Sequence, residues 1–315
     1  MPGQGSMELD YFVVDVFTDT ALKGNPLAVV MNTGQGSEAS LATERLQAIA
    51  REFNLSETSF VERRAAAVEQ AEGGRVRSGT TQEELAFAGH PTLGTASVLK
   101  LFAPETVQTD TVKLALNVGP VPVRFTGEGL FGEMTQRDPE FGAELDPREV
   151  ARLTGLAPED LDPRLLPQIV STGTAFAIVP LRSQEPLARL KVSQLEATQW
   201  LRERGARWFY VLGPAAPLSD GRTPAWRARM QFYGGEDPAT GSAAGCAISY
   251  LVGRGAVAPG ERIAPRQGVE IGRPSLLFLS AQFQSGSAQG QSAKVNDVRV
   301  AGSTVLVAKG RLFLS

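Results

Sequence analysis

The sequence predicts an α/β (α+β) protein of two similar domains, each a curved sheet wrapped around one central helix. Three observations carry that reading. A short motif occurs twice: His90-Pro91-Thr92-Leu93-Gly94-Thr95-Ala96 and Asp237-Pro238-Ala239-Thr240-Gly241-Ser242-Ala243 share the form His/Asp-Pro-x-x-Gly-Thr/Ser-Ala and begin 147 residues apart. A strand-like segment, Gly24-Asn25-Pro26-Leu27-Ala28-Val29-Val30, resembles Gly173-Thr174-Ala175-Phe176-Ala177-Ile178-Val179, and these begin 149 residues apart. After each copy of the motif, residues 93–101 and 242–252 combine Ala, Gly, Ser, Val, Leu and Ile with hardly a charge. A helix apolar on all sides must be surrounded by protein.

Between the repeated segments, residues 46–53 have the spacing of an amphipathic helix entering a strand at 58–62, and residues 195–204 enter a strand at 208–212 in the same way. Any α/β protein repeats strand, helix and strand, so each match alone is weak. Three matches in one order at nearly constant spacing favour duplication. Further apolar strands are expected at 121–125, 276–279, 298–300 and 304–307. The domains are expected to span 8–138 and 146–300, with 301–315 as a closing strand returning to the first half. A connection is expected around 141–167, where Asp146-Pro147-Arg148-Glu149 reads as a helix start with Asp146 as N-cap and Pro147 at the first helical position. Gly, Ser and Thr density marks surface loops at 33–37, 72–80 and 284–292.

A chain of 315 residues suffices for two domains. Lys+Arg 31 against Asp+Glu 34 gives a net charge of −3, so nothing in the charge balance suits a nucleic-acid backbone or an anionic membrane surface. No run of apolar residues approaches a membrane span. The opening Met-Pro-Gly-Gln-Gly-Ser-Met reads as a short polar leader, not a secretory signal. Cys246 is the only cysteine, which excludes an intrachain disulfide or a thiolate metal cluster and suits the cytoplasm. There is no Gly-rich dinucleotide fingerprint, P-loop or metal-ligand spacing, so neither cofactor nor metal is expected.

Asp237 followed by Pro238 has a plain structural explanation as a helix cap, and His90, the only histidine, is by base expectation structural too. What favours chemistry is that both stand at equivalent points of the two halves, at the mouths of two buried helices. Helix N-termini offer unpaired N–H groups and partial positive charge, and Gly89 and Gly241 would let backbone approach a carboxylate-bearing small molecule. Ser242 adds a hydroxyl beyond the shared glycine; for Thr95, packing is the better reading. The halves differ at Asn54-Leu55-Ser56-Glu57-Thr58, where Glu57 corresponds by spacing to Ala206 or Arg207. A glutamate at a strand end is commonplace. An acid present once in an otherwise repeated pattern points to a single proton-transfer group.

These segments resemble the phenazine-biosynthesis isomerase family, within the diaminopimelate-epimerase-like fold. The resemblance runs from Tyr11-Phe12-Val13-Val14-Asp15-Val16-Phe17 through the Gly24, Asn54 and Gly89-His90 segments to Glu236-Asp237-Pro238-Ala239-Thr240-Gly241-Ser242-Ala243 and Gln267-Gly268-Val269-Glu270-Ile271-Gly272-Arg273-Pro274-Ser275. It implies mostly antiparallel sheets, an active site in the cleft between the domains, and a homodimer. It also implies that Glu57 is the general acid/base, that His90, Asp237 and Ser242 orient substrate and relay protons, and that Gly89 and Gly241 donate backbone N–H groups. A two-cysteine racemase is excluded by the single Cys246, which reads as a buried structural thiol. An epimerase using Glu57 with another base stays open, as does a noncatalytic protein that only binds a small carboxylate.

Overall fold

The structure is a computed structural model describing residues 7–32, 41–127, 129–221, 223–232, 235–284 and 294–314. The loop expected at 33–37, and that at 284–292 beyond residue 284, lie outside the described residues. The chain forms two compact units, Met1–Met134 with Gly302–Ser315, and Thr135–Ala301. Among the described residues no helix is long and apolar enough to cross a membrane.

The first unit contains β1 (Met7–Val16), β2 (Asn25–Asn32), α1 (Thr43–Phe53), β3 (Glu57–Glu62), α2 (Ala66–Glu72), β4 (Gly74–Gly79), β5 (Glu84–Leu85), α3 (Gly89–Phe102), β6 (Val107–Gln108), β7 (Thr111–Leu116), β8 (Gly119–Phe125) and β9 (Phe131–Thr135). Residues 302–314 of the chain's last strand, β20 (Lys294–Leu314), also belong to it. Neighbouring strands follow the order β5-β4-β3-β2-β1-β20-β9-β8-β7-β6. β4 pairs in parallel with β7 as well, through Gly74–Leu114 and Arg75–Ala115, so the sheet closes on itself. α3 lies against β1, β2, β3, β7 and β8, and every residue from Gly89 to Leu99 is buried. α1 covers part of the outer face: Leu46, Ile49 and Ala50, at helical spacing, meet Leu9, Val30 and Phe60.

Residues 72–80, expected as a surface loop, instead supply β4, a strand paired with β3, β5 and β7. Glycine, serine and arginine hid an alternating pattern in which Val76 and Ser78 are buried while Arg75 and Arg77 lie nearer the surface. The neighbours make the strand tenable: Ser78 Oγ lies 2.9 Å from Ser59 Oγ, and Arg77 is held by Glu84 at 2.6 Å. This is tertiary pairing overriding local propensity.

The second unit contains β10 (Glu140–Glu144), α4 (Pro147–Thr154), β11 (Gln168–Ser171), β12 (Ala175–Pro180), α5 (Gln194–Arg202), β13 (Trp208–Pro214), β14 (Ala225–Arg229), β15 (Gln231–Phe232), β16 (Gly235–Glu236), α6 (Gly241–Gly253), β17 (Ala264–Gln267), β18 (Ser275–Leu276), β19 (Phe278–Gln284) and residues 294–301 of β20. Its main sheet has the order β10-β11-β12-β13-β14-β17-β18, with β12–β13 and β14–β17 parallel. Ala177, Val179, Phe209 and Val211 face α4 and α5 on one side, so alternation turns Phe176, Ile178 and Tyr210 to the other. α6 packs against β11, β12 and β19, buried from Gly241 through Val252. The expected strand at 276–279 is divided between β18 and β19, whereas 298–300 and 304–307 both fall within β20. Asp146 caps α4 by accepting from Arg148 N at 2.8 Å, but this segment is no loose connection: Leu145, Val150, Leu153 and Leu161 are core residues of the second unit.

The order strand, helix, parallel strand occurs in both units, as β2-α1-β3 and β12-α5-β13. In each unit a buried helix follows later in the chain. In the first, Gly94 is what lets α3 approach the sheet: a Cβ there would lie 2.6 Å from Leu27 Cδ2 and 2.8 Å from Val16 Cγ2. Alanine suits a helix better than glycine by about 1 kcal/mol. Crowding should still prevail in Gly94→Ala, with a loss of about 1–3 kcal/mol, read as a lower urea midpoint at unchanged slope. A midpoint at or above that of the unaltered protein would contradict close packing of α3.

Candidate active site

Glu57 owes its place to the end of α1. Asn54 takes the left-handed conformation (φ 50, ψ 37), its N–H bonds Ala50 O, and the chain turns into β3, where Glu57 pairs with Leu27 across the parallel ladder. The Glu57 side chain is 12% exposed. His90 is the second residue of α3, whose N-cap is Ala88, so its ring sits at the first turn. Glu57 Oε2 lies 3.5 Å from His90 Nε2. On the other side of the ring, Asn25 Nδ2 lies 3.1 Å from His90 Nδ1. Asn25 opens β2 and is fully buried; the turn before it needs Gly24, at φ +67, because a Cβ there would stand 2.4 Å from Val16 O.

Burial pushes the His90 imidazole down to about 3, so the ring is neutral near pH 7. The unit therefore holds a carboxylate beside a neutral imidazole at a helix N-terminus, where the first N–H groups have no intrahelical partner. Gly89, the first residue of α3, belongs to this arrangement. Asn25 was not singled out from the sequence as a site residue. Its signal was a polar side chain at the head of an otherwise apolar strand.

The second unit builds its polar cluster differently. α6 begins at Gly241 with Thr240 as N-cap, so Asp237 and Pro238 do not take the expected N-cap and N1 positions. Asp237 has other partners: its Oδ2 accepts from Thr240 Oγ1 at 2.7 Å, its N–H bonds Met230 O at 2.9 Å, and its carbonyl accepts from Gln267 Nε2 at 2.8 Å. The same Gln267 amide bonds Thr240 Oγ1 at 2.9 Å and accepts from Thr240 N at 3.1 Å. Gln267 is fully buried, and its one side chain fixes the whole approach to α6. Gly268 follows at φ +74, where a Cβ would meet Arg273 O at 2.4 Å and Pro238 O at 2.6 Å.

Gly241 and Ser242, the first residues of α6, are buried. Gln136 Nε2 donates to Gly241 O at 2.9 Å, and Thr172 Oγ1 donates to Gln136 Oε1 at 2.7 Å. Tyr210 is fully buried, its hydroxyl without a hydrogen-bond partner among the described residues; burial, then the charge of Asp237, raises it above the ordinary phenol range. Cys246 is buried beside Thr172, and burial pushes its thiol up to about 11. Neither Gln136, Tyr210 nor Gln267 was legible from the sequence as part of the Asp237 environment.

Strand register corrects one equivalence. Leu27 pairs with Glu57, and its repeat counterpart Phe176 pairs with Trp208. Trp208, not Ala206 or Arg207, thus occupies the place of Glu57, because the α5–β13 turn is longer than the α1–β3 turn. Among the described residues no three His, Cys, Asp or Glu side chains gather in a way that could hold a metal ion.

A pH dependence follows from His90, the only histidine in the chain. Its folded pKa lies below the ordinary 6.5, so between about 3 and 6.5 the unfolded chain binds more protons and stability falls as pH falls. The loss from this ring should reach about 2 kcal/mol between pH 7.5 and 5. Urea unfolding across that window should show the decline, and His90→Gln should remove most of it. A flat profile in the unaltered protein would contradict a buried neutral ring.

The profile of the phenazine biosynthesis-like protein family matches residues 14–310. The chain is 34% identical to the trans-2,3-dihydro-3-hydroxyanthranilate isomerase of Pseudomonas aeruginosa, over 96% of this chain and 99% of that protein. It is 33% identical to an uncharacterized isomerase of Mesorhizobium japonicum, over 97% of this chain and 99% of the relative. A solved structure described as a predicted epimerase from Pseudomonas aeruginosa superposes with a TM-score of 0.76 at 31% identity, covering 98% of this chain and 100% of that one. With its family matched over nearly the whole length, its isomerase relatives covered almost end to end and its two-domain α/β fold shared with the structure of a predicted epimerase, the chain belongs to the phenazine biosynthesis-like protein family and is an isomerase.

Proposed function

We propose that this isomerase works without a cofactor, with Glu57 as general acid and base, moving a proton on a small carboxylate-bearing substrate by a 1,3-shift or an epimerisation. The observation that carries the reading is the placement of Glu57: a largely enclosed carboxylate 3.5 Å from the neutral His90 ring at the first turn of α3. A carboxylate is an effective base toward carbon when it is positioned within reach and tuned by its surroundings. In the forward step the substrate C–H bond breaks, the proton goes to a Glu57 oxygen, and the electron pair spreads into the substrate's conjugated system. In the return step the O–H bond breaks and a C–H bond forms. A 1,3-shift needs only Glu57; epimerisation at one carbon needs a second group on the opposite face.

The remaining assignments follow from the helix ends. First-turn N–H groups from Gly89 on α3 and from Gly241 on α6 suit anionic oxygens. Asp237 and Ser242 are assigned to substrate orientation and proton handling in the second unit, and His90 to orientation in the first. The Pseudomonas aeruginosa relative is named for trans-2,3-dihydro-3-hydroxyanthranilate, which carries a carboxylate and is the first compound to offer this enzyme.

Glu57→Gln keeps the side-chain shape and loses the proton acceptor. It should fold and still bind carboxylates, while exchange of substrate hydrogen with heavy water falls by about 10² to 10⁴, roughly 3–5 kcal/mol of barrier. Mass spectrometry of that compound and a panel of cyclic and unsaturated amino and hydroxy acids reads the exchange. Exchange near the unaltered rate in Glu57→Gln, with none in Asp237→Asn, would make Asp237 the base. Tight carboxylate binding by the unaltered protein with no exchange in any panel member would favour a binder.

A further inference from the structure

We propose that Asn25 is a positioning residue for the reaction: its side-chain amide holds the His90 imidazole in the Nε2–H tautomer, so that the ring gives Glu57 a hydrogen-bond donor and does not pass protons through itself. The functional half of this inference rests on Glu57 being the acid/base. The tautomer itself does not.

The argument starts from donor and acceptor capacity. Asn25 Nδ2 stands 3.1 Å from His90 Nδ1, and in this amide orientation the nitrogen donates and Nδ1 supplies a lone pair. A neutral imidazole whose Nδ1 accepts carries its hydrogen on Nε2. That nitrogen faces Glu57 Oε2 at 3.5 Å. The opposite tautomer would set two N–H donors against each other at Asn25 and a lone pair against a carboxylate oxygen at Glu57. Two neighbours on opposite sides of the ring therefore select the same form, and both Asn25 and His90 are buried, which makes a mismatch costly. The 3.5 Å separation is longer than a formed hydrogen bond, and catalytic contacts commonly shorten in a substrate complex.

Two chemical consequences follow. Relay through the ring would need a proton delivered at Nδ1 as one leaves Nε2, and the group facing Nδ1 is an amide, which has no proton to give at ordinary pH. His90 thus orients and stabilises Glu57 without acting as a shuttle. With Nε2–H directed at Oε2, the proton that Glu57 takes from carbon is left to the other oxygen, Oε1, because an O–H on Oε2 would oppose the N–H.

His90 being the only histidine makes the test direct, since tag-free protein labelled with ¹⁵N-histidine gives a single imidazole pair in long-range ¹H–¹⁵N spectra. At pH 7.5 the unaltered protein should show an unprotonated Nδ1 and a protonated Nε2. A protonated Nδ1 would overturn the proposal without any variant being made. In Asn25→Asp, whose carboxylate only accepts, the ring should gain a proton on Nδ1, and kcat for exchange should fall about tenfold or more with KM within about twofold. Unchanged ring signals and unchanged kcat in that variant would also overturn it. Should the Nε2–H form be found while Glu57→Gln keeps full exchange, the tautomer stands and the catalytic role assigned to Asn25 falls with that of Glu57.

Discussion

A helix with no polar face has to be enclosed, and enclosing α3 and α6 is the constraint on which the rest of this structure depends. Around α3 the solution is a sheet that closes through the β4–β7 pairing. Gly94 removes the Cβ that would hold helix and sheet apart. Within each enclosed helix the backbone satisfies itself except at the two ends, and at the first turn N–H groups face outward along the axis. Each unit has a candidate polar residue at such an end, His90 on α3 in the first and Asp237 just before α6 in the second. Core packing and site placement are thus two results of the same arrangement.

The two units solve the same electrostatic problem with different chemistry. Burial of His90 favours a neutral ring and sets a carboxylate, Glu57, against a group without charge. In the second unit the acid itself, Asp237, stands before the helix, with Thr240 donating to its carboxylate and Gln267 to its carbonyl. Where Glu57 stands in one ladder, Trp208 stands in the other, so the duplicated ladders carry an acid at this position on one side only.

Much of this was legible in the sequence, for physical reasons that also explain what was not. The apolar runs after His90 and Asp237 had to be buried helices, and α1 declared itself through Leu46, Ile49 and Ala50. β4 was hidden because Gly74, Ser78 and Gly79 are loop formers until Ser59, Glu84 and the β7 ladder give them partners. The start of α6 was misplaced by local reasoning, since Asp-Pro is a good helix opening on its own. What displaces it is Gln267, 30 residues away, which claims the Asp237 carbonyl. Asn25 and Tyr210 were missed for the same reason, because their significance lies in what stands across from them in space.

The central proposal is that Glu57 takes a proton from substrate carbon, and in its 1,3-shift form one carboxyl group carries that proton from one carbon to another. A substrate bearing deuterium at the position that loses hydrogen, converted in ordinary water and stopped within the first turnovers, tests this most directly. A carboxylic acid holds a single transferable hydrogen, and Glu57 is only 12% exposed, so part of the label should reappear in the product at the neighbouring carbon. Product free of deuterium from the first turnover onward, with hydrogen from water in its place, would contradict delivery by a single shielded Glu57.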